Sequence, residues 1–156
     1  MRAGSRAGRG FTYLWLLAAL AVLGVAMAAV GPLWAQSAQR DREADLIRVG
    51  MAYARAIEHF EALTPPGGQA LPRNVDELLL DPRFPFPVRH LRTAYLDPID
   101  PGQPMQPIFD TAGGLRGVRS TSTLAPLRQV AWTDGRHTLE PAASYRDWQF
   151  IAQVSP

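Results

Sequence analysis

The sequence contains no cysteine and no lysine. Without cysteine the chain forms no disulfide, thiolate metal site, lipoprotein anchor or cysteine nucleophile. Every basic residue is an arginine, which is the residue usage expected from a GC-rich gene. Basic and acidic residues interleave along the chain and leave a net charge of +2 without a basic stripe, so the sequence does not indicate a nucleic-acid partner.

The spacings that mark enzyme sites are also missing. His59, His90 and His137 are scattered, and the sequence has no HExxH motif, phosphate loop, dinucleotide fingerprint or Gly-x-Ser-x-Gly elbow. His59, like Glu58 and Glu61, is expected on the solvated side of a helix. We therefore expect the protein not to be an enzyme.

Charge is absent from residues 11–35, an apolar stretch that follows the arginines Arg2, Arg6 and Arg9. As a helix it would be about 37 Å long, whereas the hydrocarbon core of a bilayer is about 30 Å thick. The stretch therefore predicts a single transmembrane helix. The positive-inside rule places the leader in the cytoplasm and the C-terminal domain in the periplasm, outside the inner membrane of a bacterial cell.

Two other interpretations of residues 11–35 stay open. One is a cleaved secretory signal with Leu33-Trp34-Ala35 as its cleavage site, although that tripeptide is a poor match and such signals have apolar cores of about 7–15 residues. The other is a plain signal anchor with no further role. A cleaved signal would release a soluble periplasmic domain, whereas a signal anchor would hold it at the membrane.

The junction between leader and apolar stretch has a specific pattern, because Gly10 ends the arginine-rich leader and Phe11 opens the apolar helix. This junction resembles the prepilin peptidase site of type IV pilins and type II secretion pseudopilins. The resemblance implies that the peptidase cuts between Gly10 and Phe11 on the cytoplasmic face and methylates the new amino group of Phe11. A cut at this point leaves the membrane anchor on the mature protein.

Two further positions in the apolar stretch bear on assembly. The family usually has a glutamate at the fifth mature residue, where it offsets a neighbour's terminal amine, and this chain has Trp15 there. Compensation of two buried charges is then missing, so the subunit either joins a filament differently, for example at its tip, or is not a filament subunit.

Pro32 interrupts the apolar helix, as a proline does at about this distance in pilin-like helices, and it either kinks the helix or is a tolerated transmembrane proline.

After the apolar stretch, residues 36–63 are predicted to continue the helix as an amphipathic half. Apolar residues recur at steps of three and four along one face: Leu46, Val49, Tyr53, Ile57 and Phe60. Most charged residues lie on other faces: Asp41, Glu43, Asp45, Arg48, Arg55, Glu58 and Glu61. The helix is expected to end at Leu63, because Thr64-Pro65-Pro66-Gly67-Gly68 cannot continue it.

The remaining residues, 64–156, are predicted to form one periplasmic globular region. A short helix is expected over Val75–Leu80 with Asn74 as its N-cap, and one more helical turn over Val88–Ala94. Turns are expected at Gly113-Gly114 and Asp134-Gly135. The expected strands are Ile108–Phe109, Gly117–Ser122, Gln129–Trp132 and Tyr145–Ile151. Three or four antiparallel strands would then pack on the apolar face of the long helix.

Several segments of this region loosely resemble major, G-type pseudopilins: Pro72–Leu80, Tyr95–Pro98, Gly117–Ser122 and Tyr145–Phe150. That class binds calcium near its C-terminus, and Asp110, Asp134 and Asp147 are the nearest acidic candidates here. Their spacing does not match a calcium loop such as the EF-hand, so turn and surface roles are the favoured interpretation of these residues. No cofactor other than this weakly indicated calcium is expected.

Together these patterns predict a pilin-like α+β protein with four segments: a leader (1–10), a transmembrane helix (11–35), its amphipathic continuation (36–63) and a globular region (64–156). The implied role is that of a structural subunit in a periplasmic filament of a type II secretion system or a related type IV pilus machine. Its expected partners are prepilin peptidase, copies of itself or other pseudopilins, and inner-membrane lipid. The alternative is a signal-anchored periplasmic binding or adaptor protein without a filament role.

Overall fold

The computed structural model describes residues 9–154, apart from the side chains of residues 9, 10 and 26–35. The elements in chain order are α1 (Arg9–Ala62), α2 (Asp76–Leu79), β1 (Gln106–Phe109), β2 (Leu115–Arg119), β3 (Trp132–Thr133), β4 (Thr138–Leu139), a 3-10 helix (Tyr145–Asp147) and β5 (Gln149–Ile151). The chain divides into two compact units, Met1–Ala38 and Gln39–Pro156. The predicted α+β class with a long N-terminal helix is confirmed.

Helix α1 contains 54 residues and ends at Ala62, one residue before the predicted end. Its helical backbone continues through Gly31 and Pro32. In the described part of the chain, no helix combines the length and the apolar character required to cross a membrane. Residues 1–8 of the predicted leader and the side chain of Pro32 lie outside the described residues.

In the C-terminal unit, α1 packs its predicted apolar face into the core. All five residues of that face are at most 3% exposed: Leu46, Val49, Tyr53, Ile57 and Phe60. Their partners in the core include Leu115 and Val118 of β2 and Phe150 of β5. Burial of each such side chain contributes roughly 1.5–3 kcal/mol, so this contact holds the helix to the sheet.

The sheet in this core is antiparallel and has the strand order β1-β2-β5. Val118 in the central strand pairs with Pro107 of β1 and with Phe150 of β5. Three strands agree with the predicted number. The predicted strand over Gly117–Ser122 is shifted, since β2 begins at Leu115 and ends at Arg119.

The other two strands form a separate hairpin, β3–β4, in which Thr133 pairs with Thr138. The predicted Asp134-Gly135 turn connects them, and Gly135 has a φ of +90°, which favours glycine. The predicted strand over Gln129–Trp132 was wrong in extent and placement. Only Trp132 of that segment is in a strand, and it belongs to this hairpin, not to the main sheet.

Two other predictions were wrong in part or whole. Tyr145–Asp147 form a 3-10 helix, so the predicted final strand is limited to Gln149–Ile151. No helical turn forms over residues 88–94. The amides of His90 and Leu91 instead donate to the carbonyl of Leu78. This segment therefore caps the C-terminal end of α2.

Helix α2 follows its prediction to within one residue at each end. Asn74 Oδ1 accepts a hydrogen bond from the Glu77 amide at 3.0 Å, and Glu77 Oε2 accepts one from the Arg73 amide at 2.9 Å. This exchange satisfies amides at the start of the helix, which have no partner within it. Asn74 therefore performs the capping role expected from the sequence.

Candidate assembly surface

The N-terminal unit presents an apolar helix surface. Ten large apolar side chains are between 45% and 73% exposed there: Phe11, Tyr13, Leu14, Trp15, Leu16, Leu17, Leu20, Val22, Leu23 and Val25. No charged residue interrupts them. Exposed apolar area of this extent marks a surface that another molecule or a membrane covers.

Trp15 lies within this surface and is 68% exposed. It borders a shallow groove of about 480 Å³ whose other lining residues are Ala18, Ala19, Val22 and Leu23. The two alanines have short side chains, which leaves room beside the helix backbone next to the larger indole. At the fifth residue after Gly10, this helix therefore presents an exposed apolar side chain with a groove beside it.

The predicted processing junction lies where α1 starts. The helix begins at Arg9, so the bond between Gly10 and Phe11 is in its first turn. Phe11 is 72% exposed. Because Phe11 is four positions before Trp15 on the helix, the two residues lie on the same side of it.

The three calcium candidates stabilise separate turns. Asp110 Oδ1 accepts hydrogen bonds from the amides of Ala112 and Gly114 in the β1–β2 turn. Asp147 Oδ2 accepts from the amide and hydroxyl of Ser144, which caps the 3-10 helix. The carboxylates thus serve local backbone geometry and do not converge on one point.

Asp134, the third candidate, lies in the β3–β4 turn. It accepts hydrogen bonds from the amides of Arg136 and His137, and it forms an ion pair with Arg55 at 2.9 Å. The backbone amides, His137 first, and then the Arg55 guanidinium hold the pKa of Asp134 below its usual range. Across the described residues, no group of three or more acidic or histidine side chains is arranged to hold a metal ion.

The end of α1 is held by a partly buried arginine, Arg83, that the sequence interpretation missed. The Arg83 guanidinium donates to the carbonyl of Phe60 at 2.8 Å, to Thr64 Oγ1 at 2.8 Å and to the carbonyl of Gln69 at 2.9 Å. It also pairs with the fully buried Asp81 at 2.6 Å. Arg83 thus satisfies a carbonyl in the last turn of α1, which has no partner within the helix.

Asp81 also binds His90, whose side chain is fully buried, at 3.0 Å. Burial alone would raise the pKa of Asp81, but hydrogen bonds from Arg83 and His90 outweigh burial and lower it below its usual range. Burial lowers the pKa of His90, and the hydrogen bond to Asp81 offsets this only in part. The second nitrogen of His90 lies 2.8 Å from Nδ1 of His59. His59 is exposed as predicted, but it is not simply solvated.

Two α1 glutamates that were predicted to lie away from the apolar face bind distant segments of the C-terminal unit. Glu43 is 5% exposed, and its Oε2 accepts hydrogen bonds from the amides of Leu127 and Arg128 and from the Tyr145 hydroxyl. Glu58 Oε1 binds His137 Nε2 at 2.7 Å and accepts the Gln153 amide at 2.9 Å. Each carboxylate fixes distant chain segments to α1.

Asp97, in the Tyr95–Pro98 segment, is another buried anchor. It is 1% exposed, and its Oδ2 accepts hydrogen bonds from Ser120 Oγ at 2.6 Å and from the Thr121 amide at 2.8 Å. This explains why β2 ends at Arg119, because Ser120 and Thr121 turn toward Asp97. The hydroxyl-bearing residues Ser120 and Thr121 therefore bind Asp97 instead of extending strand β2, which strand propensity alone does not show.

Comparison with known proteins gives no significant match to this chain among protein-family models, curated proteins or solved structures.

Proposed function

We propose that this chain is a pilin-like structural subunit of a periplasmic filament, belonging to a type II secretion system or a related type IV pilus machine. The observation that carries the proposal is the uncharged, outward-facing apolar surface that starts at Phe11, directly after an arginine-rich leader ending in Gly10. In this proposal, residues 11–35 hold the precursor in the inner membrane, and prepilin peptidase cuts between Gly10 and Phe11 and methylates Phe11.

The cost of exposing the apolar surface supports this role. Each large apolar side chain gains roughly 1.5–3 kcal/mol on moving from water into an apolar environment, and ten of them face outward between Phe11 and Val25. Lipid would cover them before assembly, and helices of neighbouring subunits would cover them in the filament. A cut ahead of Phe11 keeps this surface on the mature chain, whereas a cut after Ala35 would remove it.

The C-terminal unit fits a structural role. Its buried polar side chains fasten chain segments to one another, as Asp81 and Glu43 do. We therefore propose that the protein is not an enzyme and that its partners are prepilin peptidase, inner-membrane lipid and other pilin-like subunits. The filament would carry this unit on the periplasmic side.

Trp15 shapes how the subunit would join its neighbours. A carboxylate at that position would compensate the terminal amine of an adjacent subunit, and the exposed indole cannot do so. The groove beside Trp15, which Ala18 and Ala19 also line, instead favours close packing of an apolar helix. This subunit therefore joins the filament through shape and apolar contact.

The test is site-specific photo-cross-linking in cells that contain or lack prepilin peptidase. A photoreactive phenylalanine derivative replaces Val22 in the apolar surface, and in the control it replaces Thr123, an exposed residue of the C-terminal unit. We expect position 22 to give peptidase-dependent cross-links to another copy or to a second pilin-like subunit. An uncut chain whose cross-links do not depend on the peptidase would support the signal-anchored adaptor and overturn the proposal.

A further inference from the structure

We propose that His59 and His90 form a binding site for one divalent transition-metal cation of the zinc and copper class, held through their Nδ1 atoms. The two Nδ1 atoms face each other at 2.8 Å, although the residues are 31 positions apart in the chain. His59 is on α1, and His90 is on the segment that closes α2. The site is independent of the filament role proposed above.

The distance between the two nitrogens is close to what a shared metal ion requires. Zinc–nitrogen bonds of about 2.0–2.1 Å in tetrahedral geometry separate two ligand nitrogens by roughly 3.3 Å. The observed 2.8 Å separation therefore has to open by about half an ångström, and the His59 ring has to turn so that its Nδ1 lone pair points at the metal and not at His90. The exposed His59 side chain can supply this movement, whereas the amide of His90 is fixed to the carbonyl of Leu78.

His90 already has the partner that metal-binding histidines usually have. Its Nε2 donates to the Asp81 carboxylate at 3.0 Å, which leaves the Nδ1 lone pair of the neutral ring directed at His59. A carboxylate on the far nitrogen fixes the tautomer and the ring orientation and makes the ligand more basic. Arg83 in turn holds Asp81 at 2.6 Å, so the orienting carboxylate is itself fixed.

The ring of Phe60 keeps His90 in place from another side, since the two ring centroids are 5.2 Å apart. His59 is exposed, so a metal ion from solvent can reach the pair of histidines from its side. Because His90 carries its proton on Nε2, the proton of the hydrogen bond between the two Nδ1 atoms is assigned to His59. On metal binding that proton moves through water to Nε2 of His59, so both rings stay neutral.

Imidazole nitrogens select the metal class. They suit zinc, copper and nickel, whereas calcium and magnesium prefer oxygen ligands. The protein supplies two ligands, and water or a donor group from another molecule fills the remaining positions. With two protein ligands the site binds reversibly and is not a structural zinc centre.

The experiment is calorimetric titration of the full chain in detergent, without a histidine tag, using Zn²⁺ alone and then Cu²⁺ alone. We expect one site per chain and at least tenfold weaker binding in His59→Ala. Because His59 is exposed, this variant keeps the fold, which circular dichroism checks. His137→Asn is the matched control, since it removes a histidine bound to Glu58 and is expected to keep the affinity.

Nitrogen-15 spectra of the histidine rings give a second readout. Zinc should shift the Nδ1 resonances of His59 and His90 and leave those of His137 unchanged. The proposal is overturned if the wild-type chain binds zinc no more than tenfold tighter than His59→Ala. It is equally overturned if zinc shifts the His137 resonances in place of the other two.

Discussion

The ring of Phe150, in β5, lies directly against the backbone of Gly50, in α1. A methyl group on Gly50 would overlap three carbon atoms of that ring. Glycine in the middle of a helix usually costs about 1 kcal/mol relative to alanine. Here the glycine allows the sheet to approach the helix closely enough to bury Phe150 completely.

This contact reverses the usual effect of a Gly-to-Ala substitution in a helix. We expect Gly50→Ala to lower the free energy of unfolding by about 1–3 kcal/mol, because the core is overpacked. Urea unfolding of the full chain in detergent measures the change. Gly50→Ala should cost less stability when it is introduced into Phe150→Leu than when it is introduced into the wild-type chain, because leucine does not fill the space of the ring. Equal costs in the two backgrounds would contradict the contact.

Arg83 and Asp81 provide a second test. Arg83→Ala leaves the Asp81 carboxylate buried without its main partner, and loss of one member of a buried ion pair typically costs about 3–5 kcal/mol. Arg83→Lys should be intermediate, since an ammonium group cannot reach Asp81, Phe60 and Thr64 in the same forked geometry. Equal stability of the alanine variant and the wild-type chain would show that Arg83 does not hold the end of α1.

Glu43 ties the segment around residue 127 and the 3-10 helix to α1. Glu43→Gln keeps the size of the side chain but weakens three accepted hydrogen bonds, so we expect a loss of about 1–3 kcal/mol. Hydrogen exchange should show faster exchange at the amides of Leu127 and Arg128. Asp41→Asn, an exposed change two positions earlier in α1 and on another side of the helix, serves as the control and should have little effect.

Because Tyr53 and Tyr145 are buried, we expect the free energy of unfolding to fall at alkaline pH. Burial raises the pKa of Tyr53 and Tyr145, while hydrogen bonds with Tyr95 and Gln39 respectively offset this in part. Both phenols must stay neutral in the folded state, so their stabilisation is complete below the unfolded pKa of about 10 and is lost as pH rises through the folded values. Urea unfolding between pH 8 and pH 12 checks this.

The control for the alkaline prediction is Tyr53→Phe. This variant should be less stable at neutral pH, because the hydroxyl exchanges hydrogen bonds with the backbone of Tyr95. Its stability should also fall less steeply above pH 10, since one titrating group is gone. An unchanged slope would mean that Tyr53 does not contribute to the alkaline transition.

Helical periodicity was sufficient to predict which face of α1 enters the core. The residues from Leu46 to Phe60 recur at steps of three and four, and burial follows that pattern. Turns were also predictable where glycine follows aspartate, as at Gly135. In each case the signal lies within a few neighbouring residues, so no knowledge of the distant chain was needed.

The buried polar contacts were not predictable in the same way. Glu43 binds Tyr145 across 102 positions, and Glu58 binds His137 across 79 positions, so the sequence around each glutamate does not reveal its partner. Glu43 is three positions before Leu46, which places it on the buried face and could have raised the question of a partner. Strand β4 was not predicted and β3 was predicted only at Trp132, because two-residue strands have no periodicity to detect.

The most direct test of the account is the intact mass and N-terminal sequence of the mature protein from membranes of cells that contain prepilin peptidase. We predict a chain that begins at Phe11, carries one methyl group on its amino terminus and retains the apolar helix. Gly10→Ser should be a matched control that leaves the precursor uncut. A mature chain that begins after Ala35 and is recovered in the soluble periplasmic fraction would contradict the account.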